Sequence, residues 1–153
     1  MSLSEAGAAT SQQIRPAGGE RDLAAVFVIR GAVFVAEQNV PVEEEWDPRD
    51  TGADHLLALQ DGVPVGTVRM VVDQEGVALL GRLAVLPRAR GTGTGKALVL
   101  AVEERARELG LRSVELHAQT HALGFYEALG YTAHGEEFLD AGIPHLHMER
   151  DLR

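Results

Sequence analysis

The sequence predicts a single α/β domain in which a mixed, mostly antiparallel sheet carries helices on both faces. Strand-like and helix-like segments alternate along its 153 residues, a length typical of one domain. An Asp-Gly pair between 55–60 and 63–71 indicates a tight hairpin and therefore antiparallel pairing. The segment 79–85 then passes through a glycine-rich loop into a helical segment, which packs a helix against the sheet.

The N-terminal third combines a loose terminus, a short strand and a helix. Residues 1–12 are small and polar and predict a loose segment before a domain over 13–153, with a short strand at 13–15. Apolar residues at helical spacing indicate a helix with one buried face: Leu23, Val26, Phe27 and Phe34. The acidic run 43–50 is typical of a solvated loop, although Trp46 within it predicts part of a cleft wall.

The middle of the chain contains a strand and a long helix on either side of the glycine-rich loop. The strand covers 77–85, and the helix after the loop ends at Gly110. Four apolar residues predict its inward stripe: Leu98, Val102, Ala106 and Leu109. Glu103 stands four residues before Arg107, which predicts an ion pair on the solvent side of this helix.

The C-terminal third predicts a strand, a short helix and a final pair of strands. The strand covers 113–118, and the helix covers 121–129 with Gly130 at its end. Its inward face is predicted to carry Ala122, Phe125 and Leu129. The last two strands are expected to be antiparallel and to flank a loop, in the order 131–138, 140–144 and 146–152.

Composition narrows the classes of function. A formal net charge of -9 disfavours nucleic acid as a partner, because phosphate contacts need clustered Lys and Arg. The acidic surface either attracts a cationic substrate or simply keeps the protein soluble. Without cysteine there is no disulfide, thiolate metal site or cysteine nucleophile. No apolar run is long enough to span a membrane and no secretory pattern is present, so a cytoplasmic location is expected.

The most informative stretch is the loop within 85–98, which has glycines at three alternate positions, Gly91, Gly93 and Gly95. Glycine lets a ligand approach the backbone closely, and N–H groups that lead into a helix N-terminus have no intrahelical partner. Positive charge at the same place comes from Arg88, Arg90 and the only lysine, Lys96. The loop is predicted to bind phosphate, with an unliganded glycine turn as the alternative.

The spacing distinguishes this loop from two common phosphate loops. A nucleotide P-loop needs a glycine five residues before its Gly-Lys pair and a Ser or Thr after it, where this chain has Arg90 and Ala97. The dinucleotide pattern Gly-x-Gly-x-x-Gly fails from either starting glycine, because a lysine or a leucine holds its last position. The pattern Arg-x-x-Gly-x-Gly does fit residues 88–93.

This loop resembles the coenzyme A pyrophosphate loop of the GNAT (Gcn5-related N-acetyltransferase) superfamily. A second motif of that family, Asn-x-x-Ala-x-x-Phe-Tyr-x-x-x-Gly-Tyr, matches six residues with Gln in place of Asn: Gln119, Ala122, Phe125, Tyr126, Gly130 and Tyr131. The segments 30–38, 43–50 and 142–145 are similar to the ElaA-like branch of these transferases. The resemblance covers nearly all of the chain after the N-terminal segment and implies a GNAT-type fold.

The resemblance implies a coenzyme A thioester as cofactor, usually acetyl-CoA, held without a metal. Backbone groups of Leu83, Ala84 and Val85 are implied to bind the pantetheine arm and to polarise the thioester carbonyl. The loop and the second motif supply the remaining cofactor contacts: Arg88, Ala89, Arg90, Gly91, Thr92, Gly93, Thr94, Gly95, Lys96, Gln119, Phe125 and Tyr126. Tyr126 is also implied to protonate the leaving sulfur.

Acyl transfer to an amine also requires removal of a proton. An amine with a pKa of about 10.4 is only about one part in a thousand neutral at pH 7.5. Glu37 is the candidate base, and a surface or structural carboxylate is an equally good interpretation. His117 is the second candidate, although a structural histidine is favoured there. Gln38 and Trp46 are candidate contacts of the acceptor substrate.

The predicted function is therefore N-acyl transfer, usually N-acetyl transfer, to a primary amine of a small molecule or peptide by direct attack in a ternary complex. Two alternatives remain: a transfer like that of the acyl-homoserine-lactone synthases, and a non-catalytic acyl-coenzyme A sensor. His145 and His147 share one strand face, but zinc would need a third ligand, so no metal site is predicted. A homodimer remains an option for this class.

Overall fold

A computed structural model describes residues 11–153. Seven strands form one sheet; in chain order, Gln12–Pro16 is β1, Asp54–Gln60 is β2, Val63–Val72 is β3, Val77–Val85 is β4, Ser113–Gln119 is β5, Thr132–Asp140 is β6 and Ile143–Asp151 is β7. The order across the sheet is β1-β2-β3-β4-β5-β7-β6. Most of the predicted loose segment 1–12 lies outside the described residues, and its last residue, Gln12, already belongs to β1.

The helices within residues 11–153 are Gly19–Arg30 (α1), Val42–Glu45 (α2), Thr94–Glu108 (α3) and Leu123–Ala128 (α4). A π-helical segment, Gly31–Glu37, continues α1, and 3-10 turns cover Pro48–Gly52, Pro87–Ala89 and Thr120–Ala122. The predicted helix 121–129 is therefore shorter than expected, because its first turn is 3-10. Wide π-helical turns are rare and concentrate at functional sites.

All neighbouring strands run antiparallel except β4 and β5, which confirms the mixed, mostly antiparallel sheet. The parallel pair is joined only where Val77–Leu80 faces Ser113–Leu116. Beyond this point β4 continues to Val85 and β5 to Gln119 without pairing to each other. The two strands therefore diverge toward their carboxyl ends, which is where open α/β sheets bind ligands.

Helices cover both faces of the sheet, as predicted. On one face α3 and α4 pack on the main core, whose buried members include Leu98, Val102, Val114 and Met148. On the other face α1 and its π-helical extension pack on β2 and β4 through a smaller core, formed by Val26, Ile29, Val33, Leu57, Leu59 and Ala84. This smaller core contains no residue of β5, β6 or β7. The side chains of those three strands on this face are available for a site.

Two hairpins close with two-residue turns in the left-handed conformation. Asp61 and Gly62 have φ of 50° and 81°, which confirms the turn predicted between β2 and β3. Ala141 and Gly142 have φ of 52° and 77° and join β6 to β7 directly. The loop predicted at 140–144 is therefore wrong, because the strands extend into it and leave only two residues for the turn.

The long helix α3 corrects one prediction. Leu98, Val102 and Ala106 are fully buried as predicted, whereas Leu109 lies past the helix end and is 44% exposed. Glu103, predicted on the solvent side with Arg107, is only 1% exposed. Its carboxylate instead accepts hydrogen bonds from the Tyr131 hydroxyl and the Arg150 guanidinium, each at 2.8 Å. Residues far along the chain thus reach this carboxylate, so the helical spacing alone could not identify its partners.

Two further helix faces differ from the prediction. In α1, Val26 is buried, but Leu23 and Phe27 are 37% and 38% exposed. In α4 the inward residue is Tyr126, at 7% exposure, whereas Phe125 is 38% exposed. In α4, the spacing of apolar residues predicted an inward Phe125, whereas the structure buries Tyr126 and leaves Phe125 partly exposed at the cleft.

Candidate active site

The divergence of β4 and β5 opens a cleft of about 780 Å³ on the sheet. One end is bordered by the glycine-rich loop at the N-terminus of α3. The walls come from the π-helical segment, the carboxyl half of β4, the end of β5 and α4. The far end is bordered by the acidic segment around α2 and by the turn between β6 and β7. The cleft therefore joins two different surfaces, one made of backbone and one made of side chains.

The loop at the first end offers a run of unused backbone donors. The Arg90 amide donates to Pro87 and the Ala97 amide donates to Gly93. Between them, the six amides from Gly91 to Lys96 donate no hydrogen bond to any residue in 11–153. Gly91 and Gly93 have φ of 78° and 84°, a left-handed conformation that favours glycine. These donors at a helix N-terminus form a site for an anion.

The three predicted cations are placed differently from one another. Lys96 is exposed and borders the cleft. Arg90 also borders it, but its guanidinium binds both carboxylate oxygens of Glu37, at 2.6 and 2.7 Å, and the carbonyl of Val85 at 2.9 Å. Arg88 is exposed, lies outside the cleft lining and reaches only the Pro64 carbonyl, at 3.5 Å. The loop therefore depends mainly on its amides.

Hydroxyl groups tie the loop to the edge of the sheet. The Oγ1 atoms of Thr92 and Thr94 lie 2.9 Å apart. Gln12 of β1 donates to Thr94 at 3.0 Å, and Gln60 of β2 donates to Thr92 at 3.4 Å. Thr94 is buried, so its role is to hold the start of α3 rather than to meet solvent. These contacts hold the amides in one orientation.

Tyr126 stands in the wall of the cleft, beside the open part of the sheet. Burial raises the pKa of Tyr126 to about 12, so the hydroxyl stays protonated at neutral pH. Its ring packs edge-on against Phe125, with centroids 4.9 Å apart. Phe125 in turn lies under the loop, 3.5 Å from where a Cβ at Gly95 would be. Tyr126 is 7% exposed and borders the cleft, so this wall carries a protonated tyrosine held by ring packing.

A chain of polar side chains crosses the cleft. Gln119 at the end of β5 donates to the Gln38 side chain at 2.9 Å, although the two residues are 81 positions apart. The Gln119 oxygen also lies 2.6 Å from Nε2 of His121. The sequence-predicted cofactor contact Gln119 and the substrate contact Gln38 are therefore brought together at one place. Their amides can still reorient toward a ligand, since both residues are only half-buried.

The acidic segment at the far end is not a solvated loop, which corrects the sequence prediction. Asp50 is 7% exposed, and its carboxylate lies 2.9 Å from the guanidinium groups of both Arg30 and Arg69. Glu45 is 9% exposed and binds Arg30 at 2.9 Å and Arg82 at 3.1 Å. The charges balance one another in the interior, because an unpaired buried charge would be strongly destabilising.

Arg82 links this buried ion network to β4. Its φ is 52°, and the pairing of β3 with β4 shifts register next to it, which marks a β-bulge. Its Nε and Nη2 atoms each contact Glu45, at 3.1 Å. Burial and the charges of Arg69 and Arg30 lower the pKa of Arg82. The bulge is therefore tied to the acidic segment through the contacts of Arg82 with Glu45.

Asp47 completes the network at its outer edge. Burial opposes ionisation of this carboxyl, but hydrogen bonds from Arg49 and the charge of Arg69 lower the pKa of Asp47 to about 2. The Asp50 carboxyl behaves similarly: burial is outweighed by hydrogen bonds from Arg30 and Arg69, and its pKa is lowered. Both carboxylates therefore remain charged through the physiological range.

Trp46 does not border this cleft. It is 62% exposed and lines a second hollow with Phe27, Leu23 and His55, on the outer side of α1. Trp46 therefore lines the second hollow and not the cleft. Its neighbours Glu45 and Asp50 form buried ion pairs, and the Trp46 ring remains exposed. Arginines distant in the sequence hold α2 in place through ion pairs with Glu45. The orientation of Trp46 could therefore not be predicted from the neighbouring residues alone.

The cleft thus collects most of the predicted site residues: Glu37, Gln38, Leu83, Val85, Ala89, Arg90, Gly91, Gly93, Thr94, Gly95, Lys96, Gln119, Phe125 and Tyr126. Four lie outside its lining: Trp46, Ala84, Arg88 and Thr92. Ala84 is buried under α1, so only its backbone can serve the cleft.

Two histidines border the cleft in addition to the predicted site residues. His117 lies in the cleft lining, and partial burial of its ring together with the neighbouring His147 lowers the pKa of His117. His145, considered only as a metal ligand, is 8% exposed and also borders the cleft. The register of β7, which pairs His145 with Gln119, brings it to the open end of β5.

The comparison with known families identifies the class of protein to which this fold and cleft belong. Residues 9–152 match the family model of the acetyltransferase (GNAT) domain, so the chain belongs to the GNAT acetyltransferase family and is an acyltransferase. The prediction of this family and fold from the glycine loop and the Phe-Tyr motif is confirmed.

Particular relatives cover almost the same span. A Bacillus subtilis protein that carries an acetyltransferase name is 44% identical over 86% of this chain and 90% of its own length. The N-acetyltransferase YjcF of the same organism is 41% identical over 88% and 96%. The crystal structure of Escherichia coli ElaA covers 93% of this chain and 99% of its own at 27% identity, with a TM-score of 0.80.

Two further observations concern membranes and metals. Within residues 11–153, no helix is long and apolar enough to cross a membrane. In the same part of the chain, no three His, Asp or Glu side chains converge in a way that would hold a metal ion. His145 and His147 alternate with Leu146 along β7, and only His145 borders the cleft.

Proposed function

We propose that this acyltransferase moves an acyl group, usually acetyl, from a coenzyme A thioester to a primary amine by direct attack in a ternary complex. The observation that carries the proposal is the divergence of β4 from β5, which opens one continuous cleft from the free loop amides to the buried ion network. A donor entering from the loop and an amine entering from the opposite end would meet beside Tyr126.

The residues at the loop end fit a coenzyme A thioester. Six unused amides and the Lys96 ammonium can meet the charge of a diphosphate without a metal ion. Within residues 11–153, β4 has no pairing partner on its β5 side beyond Leu80, so backbone groups of Leu83 to Val85 on that edge can contact an amide-containing arm and the thioester carbonyl. The bound thioester would supply the activated acyl group and a thiol leaving group.

The reaction forms a bond between the amine nitrogen and the carbonyl carbon and breaks the carbon–sulfur bond, while the sulfur keeps the electron pair. One proton leaves the nitrogen and one reaches the sulfur. Tyr126 is the proposed donor to the sulfur. Full transfer from a group with a pKa of about 12 to a thiolate with a pKa near 8.5 is uphill by roughly 5 kcal/mol. Tyr126 therefore acts mainly by hydrogen bonding to the developing thiolate.

Glu37 is the proposed proton acceptor from the sequence, and its surroundings weaken that role. The hydrogen bonds and charge of Arg90 lower the pKa of Glu37, which makes this carboxylate a poorer base. The pair also has a second possible use, because it joins the π-helical segment to the loop. Glu37 would then order the donor end of the cleft.

Two measurements on the purified protein test the proposal. Calorimetric titration should show binding of acetyl-CoA and much weaker binding of ATP or NAD, since the loop lacks the P-loop hydroxyl and the dinucleotide spacing. Thiol release from acetyl-CoA should then depend on an added amine from a mixed panel. Binding without amine-dependent thiol release would favour a sensor, and the absence of any coenzyme A binding at millimolar concentration would refute the proposal.

The pattern of initial rates, which distinguishes a ternary complex from an acyl-enzyme intermediate, provides a further check. Because the chain has no cysteine, the usual thiol acyl-enzyme is unavailable to it, and initial-rate lines at several amine concentrations should intersect. Parallel lines, or an acylated residue in the intact protein on the timescale of turnover, would contradict direct attack.

A further inference from the structure

His145 has a defined tautomer in the cleft. Its Nδ1 lies 2.7 Å from the carbonyl oxygen of Ile143. Because a carbonyl oxygen only accepts hydrogen bonds, Nδ1 must carry the hydrogen in the neutral ring. The other nitrogen, Nε2, then holds the lone pair that can accept a proton.

The lone pair of His145 has no partner in the protein. Nε2 forms no hydrogen bond to any residue within 11–153. It is also not a fully buried atom, since the fully buried side-chain atoms without a partner in this range are Nδ1 of His55 and Nε of Arg69. The side chain is nevertheless more than nine-tenths buried and borders the cleft, so this nitrogen faces the cleft space. Phe138 stacks on the ring, with centroids 5.8 Å apart, and limits its rotation.

The fold brings this ring to the acceptor side of the cleft. His145 pairs directly with Gln119 on β5, at the end where β5 has separated from β4. The carbonyl that orients it belongs to Ile143, two residues earlier, immediately after the tight turn. Backbone pairing and the turn therefore hold a proton acceptor at the mouth through which an amine would enter.

The other basic groups of the cleft are less suited to this task. Glu37 is bound to Arg90 through both oxygens, and a carboxylate is by nature a weaker base than an imidazole by about two pKa units. His117 also borders the cleft, but its ring is oriented by edge-on contacts with Phe138 and His147 and not by a hydrogen bond. A base held in one tautomer by a hydrogen bond on its far nitrogen is the arrangement that general-base catalysis favours.

We propose that His145 accepts the proton of the acceptor amine, an inference that rests on the proposed acyl transfer. As the nitrogen–carbon bond forms and the carbon–sulfur bond breaks, one N–H proton passes to Nε2 and gives an imidazolium. The proton then passes to solvent through the open cleft, while the sulfur leaves as a thiolate that accepts a hydrogen bond from Tyr126 and then takes a proton from solvent. The reaction consumes a neutral amine and a thioester and yields an amide and a thiol.

Several charged or titratable groups border the same cleft as His145 or lie on the strands next to it. They are Glu115, His117 and His121 from β5 and the turn after it, Asp140 at the end of β6, and His147 on β7. Of these, His147 lies on the same strand face two residues away but outside the cleft lining. His147 is therefore a matched control for the loss of an imidazole from this sheet.

The test compares two replacements of His145 with one replacement of His147. H145N can keep a side-chain N–H near the Ile143 oxygen, whereas H145Q places its amide farther out, and neither supplies a base. Both variants should lose about 100-fold in kcat/KM for the amine, at the low end of the general-base range. The Kd for acetyl-CoA should stay within about twofold, and H147Q should keep kcat/KM within about threefold.

The pH profile separates a base from an anchor of the turn. If the amine must be neutral and His145 must be unprotonated, log(kcat/KM) rises with a slope of two at low pH and a slope of one above the pKa of the ring. Both variants should show a slope of one throughout. If His145 only anchors the turn, H145N should recover wild-type activity and profile while H145Q does not.

The outcomes also separate this inference from the proposed function. An active wild type with H145N and H145Q within threefold of it would overturn the role of His145 alone. A wild type that binds acetyl-CoA but releases no thiol with any amine would overturn both. Equal losses in H147Q would show that the sheet, and not the position of Nε2, is what matters, and would also refute the inference.

Discussion

The two ends of the cleft are built in different ways. The end at the glycine-rich loop, called the donor end because the thioester is proposed to bind there, consists of backbone. It has the unused amides of six consecutive residues, Gly91 to Lys96, with Gly91 and Gly93 in the left-handed conformation. The acceptor end consists of side chains from segments far apart in the chain, such as Arg30, Asp50 and Arg82, which meet in a buried ion network. The first end is therefore specified by residues close together in the sequence, whereas the second depends on partners that only the fold brings together.

The largest expected effect is at the donor end. Gly93→Val should raise the Kd for acetyl-CoA at least 100-fold in calorimetry, because a branched side chain would stand among the free amides. No atom lies within 4 Å of an added Cβ, so the fold should survive with roughly 1–2 kcal/mol of backbone strain from the φ of 84°.

Gly76→Val is the matched control for this substitution. Gly76 has a φ of 79° and equally open surroundings, and it lies in the turn before β4, outside the cleft. It should lower the melting temperature to a similar extent and leave the Kd for acetyl-CoA unchanged. Equal loss of binding in both variants would mean that strain, and not the free amides, explains the effect.

The next effect is expected between the two ends. Tyr126→Phe should lower kcat about 10- to 100-fold and leave the Kd for acetyl-CoA unchanged, since a donor to the sulfur acts only in the transition state. Because the pKa of Tyr126 is raised to about 12, kcat should not fall from tyrosine ionisation below about pH 10. Steady-state rates across pH measure the change in kcat and its pH dependence, and calorimetry measures the Kd.

Tyr131→Phe is the control for removing a tyrosine hydroxyl. Tyr131 donates to the buried Glu103 carboxylate, so its loss should cost roughly 1–3 kcal/mol of unfolding free energy and leave kcat intact. A Tyr126→Phe variant that keeps full kcat, or that loses stability like Tyr131→Phe, would show that Tyr126 is structural.

The third effect concerns the buried ion network at the other end of the cleft and is measured as the pH dependence of the unfolding free energy. The folded-state pKa of Asp47 is lowered to about 2, below its value in the unfolded chain, so this carboxylate stabilises the fold above about pH 4. That stabilisation, about 2 kcal/mol, is lost as the pH falls through about 2. Asp47→Asn should therefore flatten the dependence of unfolding free energy on pH between 4 and 2 in urea titrations. An unchanged slope would mean that the outer ion pairs contribute little.

The smallest effect is expected where the two ends are joined. Glu37→Gln should change kcat less than about fivefold, because its carboxylate is already committed to Arg90 and its pKa is lowered. The Kd for acetyl-CoA should move slightly, since Arg90 is released beside the loop. A loss of 100-fold or more in kcat with an altered pH profile would restore Glu37 as the base and displace His145.

Local sequence information was enough for much of the fold. The hairpin turn at Asp61-Gly62, the end of α3 shortly before Gly110 and the glycine loop all depend on residues whose backbone preferences act within a few positions. Helical spacing was less informative about burial. Glu103 and Tyr126 turn inward because distant partners or an open cleft receive them, and spacing cannot report such partners.

The acceptor side of the site shows the same limit. The acidic run 43–50 has the composition of a solvated loop, and only Arg30 and Arg69 on other elements make its burial favourable. In the sequence, His145 stood out only as half of a His-x-His pair and as the last residue of the segment 142–145. Its proposed role depends on a carbonyl two residues earlier, on the ring of Phe138 and on the divergence of two strands.

By itself, the sequence determined the fold family, the position of the glycine-rich loop and the Tyr126 motif, because each follows from residues that act over short distances along the chain. Only the tertiary structure decided which cations remain free, that Glu37 binds Arg90, that Trp46 faces a separate hollow, and that His145 faces the cleft. The physical reason is that charge pairing and burial are settled between segments that are distant in sequence, and their free energies depend on which partners the fold brings together.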